Sequence, residues 1–353
     1  MNREELTTNV KDGEIIQRLD LSGQDLSGAD LGGGIFEDVD FAGANLTGAR
    51  LKECVFTNAD FSRADLNGVD AGYAVFIKPR FNNANMSQAV FRSATFNQAQ
   101  LSGASFTSAN LEQTNFLESR LAGAVFIRAN LTRTVFTDAD LSQTDFSEAE
   151  FTRTFLSGAD LTTSVLTGAR FNLTLMMGCN LQGLDLRGID FPLVQFQKSN
   201  LAGTDFSGAD LTQASFLESD LTGSKLERVK ARYAIFSKAR MSQASLKSSF
   251  LMNANFQEAD LSGADFTDGN LQQAVFKKAV CRGSQFKRVD LSYGDLSHTD
   301  LTAADFSGAG VFRTKLHKAL TSRTILAGVN LAVALGLDQD LAEAEDFVFA
   351  SKL

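Results

Sequence analysis

The chain has 353 residues, with 33 lysines and arginines against 42 aspartates and glutamates, a formal net charge of −9. No apolar run approaches the ~18 residues of a membrane-spanning helix, and Cys54, Cys179 and Cys281 match neither a disulfide framework nor a zinc pattern. Two histidines leave little room for imidazole-based metal or acid–base chemistry, and the acidic balance argues against direct binding to nucleic-acid phosphates or anionic membranes.

In chain order, residues 1–15 follow no period and read as an N-terminal cap segment, with Ile15, Ile16 and Leu19 opening a capping coil. The first residues carry acids and no apolar stretch, so no signal peptide is expected, and the chain reads as cytoplasmic with reduced thiols. From Leu21 a large apolar residue recurs every five residues, without an insertion, to Leu331. Of those 63 positions 30 are Leu and 25 are Phe, and the exceptions are Ala71, Met86, Met176, Ala231, Met241, Cys281, Val311 and Thr321. Two residues before the large one stands a small residue such as Ala29, Ala44 or Thr144, and one residue before it often stands Asp or Asn.

A period of five fits neither a helix at 3.6 nor a continuous strand at 2. It fits a short extended piece whose small and large residues, two apart, both point inward, followed by a polar pair that turns a corner. Gly28, Gly48 and Gly123 stand at the second corner position, where a positive φ is expected. The sequence also repeats every twenty residues: Phe36, Phe56, Phe76, Phe96, Phe116 and Phe136, then Phe196, Phe216, Phe236, Phe256 and Phe276. Four pentapeptides per turn would stack these phenylalanines above one another. The last stretch, from Asp338 to Phe347, reads as a short helix with Asp338 as N-cap, covering the final coil.

The units Ala29-Asp30-Leu31-Gly32-Gly33, Ala209-Asp210-Leu211-Thr212-Gln213 and Ala259-Asp260-Leu261-Ser262-Gly263 resemble the pentapeptide-repeat family, A-(D/N)-L-x-x. The resemblance implies an all-β chain, a single right-handed quadrilateral parallel β-helix over residues 16–331, with short terminal caps at 1–15 and 332–353. Sixty-three units at that geometry make about 15–16 coils and a length of about 75 Å.

Function is read next from what points outward. No Walker loop, GxSxG or HExxH occurs, so no catalytic, cofactor-binding or metal residue is assigned. His298 and His317 read as surface histidines, and the three cysteines as buried, inert packing. The 22 acids that precede a large residue, such as Asp20, Asp40 and Asp60, have two readings. They hydrogen-bond locally to the turn backbone, or they imitate DNA phosphates, as the family resemblance implies for members that protect type II topoisomerases. Lys225, Arg228, Lys230, Arg232, Lys238, Arg240 and Lys247 interrupt the acidity with a basic stretch.

An apolar strip is the strongest candidate interface. It comprises Ile35, Val55, Val75, Val135, Phe155, Leu175, Ile235 and Val275, each just before the large residue of one face, with Ile77, Leu117, Met177 and Leu217 just after it. Ala334-Leu335-Gly336, Asp338 and Leu341-Ala342-Glu343-Ala344-Glu345 resemble the tail of pentapeptide-repeat chains encoded with bacterial type VI secretion systems. That resemblance implies an adaptor in effector loading. The expected partner is therefore a protein, namely a secretion effector or spike component, or alternatively a type II topoisomerase such as DNA gyrase. A second copy, meeting through the apolar face or the C-terminal cap, is a further candidate.

Overall fold

The computed structural model describes residues 1–346 and divides into two compact units, Met1–Asn180 and the chain from Leu181 onward. Both are parallel β-solenoids with twenty residues per turn, because every ladder pair joins residues twenty apart.

The pentapeptide explains the coil bond by bond. The N–H of Leu21 donates to the Asp40 carbonyl at 2.7 Å, one turn on, and the N–H of Gly23 to the Ala42 carbonyl at 2.9 Å. The N–H of Gln24 turns back to the Leu21 carbonyl at 3.2 Å, closing the corner, and the N–H of Asn45 returns to the Gln24 carbonyl at 2.9 Å. A β-turn with positive φ at its third residue is of the type II pattern. Gly23 takes that φ at 64°, but among the described residues so do 42 non-glycine residues, Asn58, Gln88 and Lys238 included. The corner conformation is thus imposed by closure of the turn, and glycine merely relieves it.

In unit 1, six three-residue strands lie in sequence order on one side: β1 (Ile15–Gln17), β2 (Ile35–Glu37), β3 (Val55–Thr57), β4 (Val75–Ile77), β5 (Thr95–Asn97) and β6 (Asn115–Leu117). A second pair, β7 (Glu150–Thr152) and β8 (Arg170–Asn172), lies on another side. The remaining sides pair through single bridges. The Phe36, Phe56, Phe76, Phe96 rings stack at 4.8, 5.1 and 4.8 Å, nearly parallel. That spacing is the separation of hydrogen-bonded strands, so backbone pairing and ring stacking demand the same rise. Phe41, Phe61 and Phe81 form a neighbouring stack at 4.7 and 4.6 Å and meet the first edge-on, with Phe36 and Phe41 at 68°. Unit 2 repeats the arrangement with Phe196, Phe216, Phe236, Phe256 and Phe276.

The ends hold what the period does not describe. Residues 3–11 are a helix, α1 (Arg3–Lys11), where the sequence reading had only a capping segment. Asn2 and Glu5 make a reciprocal capping box, and Leu6 and Val10, four apart, are buried against the first coil. Ile15 points outward and Ile16 inward, so the solenoid register already begins in β1. At the other end a 3-10 turn (Leu331–Val333) precedes α2 (Gln339–Asp346). Asp338 caps α2 as expected, accepting the Leu341 N–H at 3.0 Å. The described part of α2 does not lie over the last coil, however. It lies along a flank, and among the described residues the apolar mouth formed by Phe306, Val311, Leu316, Leu326 and Leu331 stays open. Phe347, the last residue of the expected helix, lies outside the described residues.

Candidate protein-interaction face

In each pentapeptide the residue before the large one must point outward, since its neighbours on both sides point in. On the side that begins at β1 these residues form one ladder. Ile15, Ile35, Val55 and Val75 are directly in register. Thr95 and Asn115 follow, and then Val135, Phe155 and Leu175. Ile15 is 49%, Ile35 40% and Phe155 42% exposed, and the others are half-buried by their ladder neighbours. Ile77 and Leu117 flank the same side one residue further on, with Asn97 between them. Met177 holds the equivalent position after Met176 and is exposed. The structure therefore brings nine of the twelve residues to one side of unit 1.

The other three, Leu217, Ile235 and Val275, belong to unit 2, whose corresponding ladder reads Gln195, Ser215, Ile235, Asn255, Val275, Asp295. There the apolar strip is broken by polar residues. Its far end carries α2: Lys277, Asp295, Ser297, His298, Lys315 and His317 line a cavity of about 250 Å³ together with Leu341 and Glu345 of the helix.

His298 and His317 are not the surface histidines expected from the sequence. His317 is buried, and both imidazoles meet Glu345, His298 Nε2 at 3.1 Å from Oε1 and His317 Nε2 at 3.3 Å from Oε2. Lys318 Nζ adds a contact to Oε2 at 3.2 Å. Withdrawal of Glu345 from water would raise its carboxyl, but hydrogen bonds from His317, Lys318 and His298 outweigh it and hold the group down at about 2. Together the two rings and the carboxylate have the composition of a metal site, with ligand atoms within 4.8 Å of one another. The Asp338 N–H, however, donates to His317 Nδ1 at 3.1 Å. A ring that accepts at Nδ1 carries its proton on Nε2, so the nitrogen facing Glu345 is a donor and not a free lone pair. The trio is accordingly a latch that holds α2 to the flank. The sequence signal was the spacing of 19 between the histidines, one turn less one residue, which places them on adjacent coils.

The cysteines behave as expected. Cys54, Cys179 and Cys281 are buried thiols, and burial pushes the first two up to about 12 and the third upward as well. The acids mainly serve the turns: Asp20, Asp40 and Asp60 each accept the backbone N–H two residues on, at 2.9, 2.8 and 2.8 Å.

Two family models match the chain, one described as a pentapeptide repeat region over residues 35–126 and one as pentapeptide repeats over 129–168, 156–191, 193–228, 234–273 and 270–308. No curated protein sequence matches. Among solved structures the chain is similar to QnrB1, a plasmid-mediated fluoroquinolone resistance protein, at 20% identity, covering 51% of this chain and 92% of that one with a TM-score of 0.32. It is also similar to HetL from the cyanobacterium Nostoc, a protein involved in heterocyst differentiation regulation, at 23% identity, covering 78% and 97% with a TM-score of 0.22. A third likeness is to a thylakoid-lumen protein of Arabidopsis thaliana, at 25% identity, covering 36% and 68% with a TM-score of 0.16. At these values the structural likenesses bear on no question of activity. The family rests on the repeat itself, matched over most of the described solenoid: the chain belongs to the pentapeptide-repeat family.

Proposed function

We propose that the chain is a non-enzymatic protein-interaction scaffold whose contact surface is the outward apolar ladder of unit 1. The observation that carries this is the in-register run Ile15, Ile35, Val55, Val75, resumed at Val135, Phe155 and Leu175. Each square ångström of such surface removed from water is worth roughly 25 cal/mol, and a flat strip of this kind is characteristic of a partner surface. The chemistry-bearing groups favour no competing reading. Both imidazoles are engaged by Glu345, and the three thiols are buried and held protonated.

The partner we assign is a protein of type VI secretion effector loading, an effector or a spike component. The alternative is a type II topoisomerase, and the observation that favours it is the carboxylate column Asp20, Asp40, Asp60, which recurs once per turn. The test is a full-length variant with Val55, Val75 and Val135 all changed to Lys. It should keep its melting temperature and lose the native partner, identified by mass spectrometry of the co-purified complex. Retention of the same partner by a folded triple variant rejects the ladder as the contact. Relief of gyrase inhibition that survives the triple variant favours the topoisomerase alternative.

A further inference from the structure

The side of unit 2 that precedes the Ile235 and Val275 side carries the outward ladder Asp210, Lys230, Phe250, Asn270, Asp290. At Asp210, Asn270 and Asp290 a side-chain oxygen accepts the backbone N–H two residues on, at 2.9, 3.1 and 2.9 Å. That bond is what this position does for the fold. Lys230 and Phe250, on successive turns, have no oxygen with which to make it. Phe250 stands 60% exposed, contributes nothing to the core and lies directly beside Lys230 in the ladder.

Lys230 is flanked on its own turn by Arg228 and Arg232, so alternate residues place three cations across one whole side. Nearby Lys225, Lys238, Arg240 and Lys247 each have a carboxylate within 4.0 Å, at Asp205, Glu258, Asp220 and Asp265. Among the described residues Arg228, Lys230 and Arg232 have none. Tyr233 turns the corner 45% exposed, with the Arg232 guanidinium 4.8 Å from its ring centre and donating to its hydroxyl at 3.1 Å. In a chain of net charge −9, three cations without a carboxylate partner among the described residues, beside a bare phenylalanine, are unexplained by folding or solubility.

We infer that this side, formed by Arg228, Lys230, Arg232, Tyr233 and Phe250, binds a short acidic segment of a partner protein that carries a large apolar or aromatic residue. The spacing selects an extended peptide. Its acids on one face recur every second residue, about 6.6 Å apart, the same alternation that places the three cations, while its apolar residue meets Phe250. The cation row spans only about 13 Å, and Asp210 and Asp290 lie on the same ladder. A nucleic-acid backbone following the solenoid would meet those carboxylates. The inference is independent of the apolar ladder of unit 1, since no residue is shared.

Fluorescence anisotropy with the full-length chain tests it. The probe is a labelled ten-residue peptide of glutamates and aspartates around one central phenylalanine. The controls are a serine–glycine peptide with the same phenylalanine, the acidic peptide without it, and a twelve-nucleotide oligothymidylate. Saturable binding of the acidic phenylalanine peptide is expected, and it should weaken with salt. The double variant Lys230→Glu, Arg232→Glu should lose about tenfold or more in affinity, with an unchanged circular dichroism spectrum. Phe250→Ser should weaken only the phenylalanine-bearing peptide. Absence of saturable binding, equal affinity in the charge-reversed variant, or tighter binding of the oligothymidylate would each overturn the assignment.

Discussion

Most inward hydroxyls and thiols are tolerated in this core because a carbonyl of the preceding turn accepts them, whereas the buried Ser224 hydroxyl finds no such partner among the described residues. Thr114, Thr134 and Ser284 donate to the carbonyls of Phe91, Leu111 and Leu261, each 23 residues earlier, at 2.8, 2.7 and 2.8 Å. Cys54 and Cys179 do the same to Leu31 and Leu156, both at 2.9 Å. Such a carbonyl already accepts the turn N–H, as Phe91 does from Ala94, and its second lone pair takes the side chain. The corner is less forgiving. Thr163 is a β-branched residue at the left-handed position and does not take a positive φ. The Gln143 N–H, which by the repeat would reach the residue 162 carbonyl, donates instead to Thr163 Oγ1 at 2.9 Å. Asparagine holds the left-handed conformation at positions 58, 83 and 253. Thr163→Asn is therefore expected to restore the regular corner and stabilise unit 1 by about 0.5–1 kcal/mol, read as a higher denaturant midpoint. An unchanged or lower midpoint would mean the hydroxyl contact is worth as much as the corner.

The elements that stand outside the period are held by specific polar contacts. α1 has its capping box and two buried residues, and it closes the first coil of unit 1. α2 buries little beyond Ala342, so its attachment depends on Glu345 and on the Asp338 N–H to His317. Because the folded carboxyl sits at about 2 against an ordinary 4.5, the latch contributes fully above about 4.5 and is lost as pH falls toward 2. Hydrogen exchange of the α2 amides should accelerate over that interval while the Phe256 and Phe276 coils stay protected. Glu345→Gln should show the fast exchange already at pH 7. Slow α2 exchange in that variant would place the attachment elsewhere.

Across the whole molecule, stability accumulates turn by turn, since each turn touches only its neighbours. Phe96 stacks on Phe76 and Phe116 at 4.8 and 5.0 Å and is fully buried. Phe96→Ala should cost about 3–5 kcal/mol, felt first as lost amide protection in the coils from Phe76 to Phe116. Uniform loss of protection throughout unit 1 would contradict this local account. Ion pairs add little by comparison. Arg50–Asp30 and Arg288–Asp268, at 3.0 and 2.7 Å, join successive turns at largely exposed positions, where each pair is worth at most about 1 kcal/mol. The remaining negative charge keeps the surface soluble.

The five-residue period, the closure of a turn at twenty and the inward columns of Leu and Phe were legible from residue order alone. All three depend on which way a side chain points within a few residues, and Phe56 lying 5.1 Å from Phe76 follows from them. The outward placement of Ile35, Val55 and Val75 was legible for the same reason. The helix at α1 left a readable trace in Asn2, Glu5, Leu6 and Val10, but the repeat overshadowed it. What only the tertiary structure decided were the contacts whose partners meet through stacking or refolding of a tail. Glu345 reaches His298 across 47 residues, and the cations of Arg228, Lys230 and Arg232 stand out only once their neighbours are seen to be paired. A local pattern specifies direction, whereas pairing depends on distances that exist only after the turns have been laid one upon another.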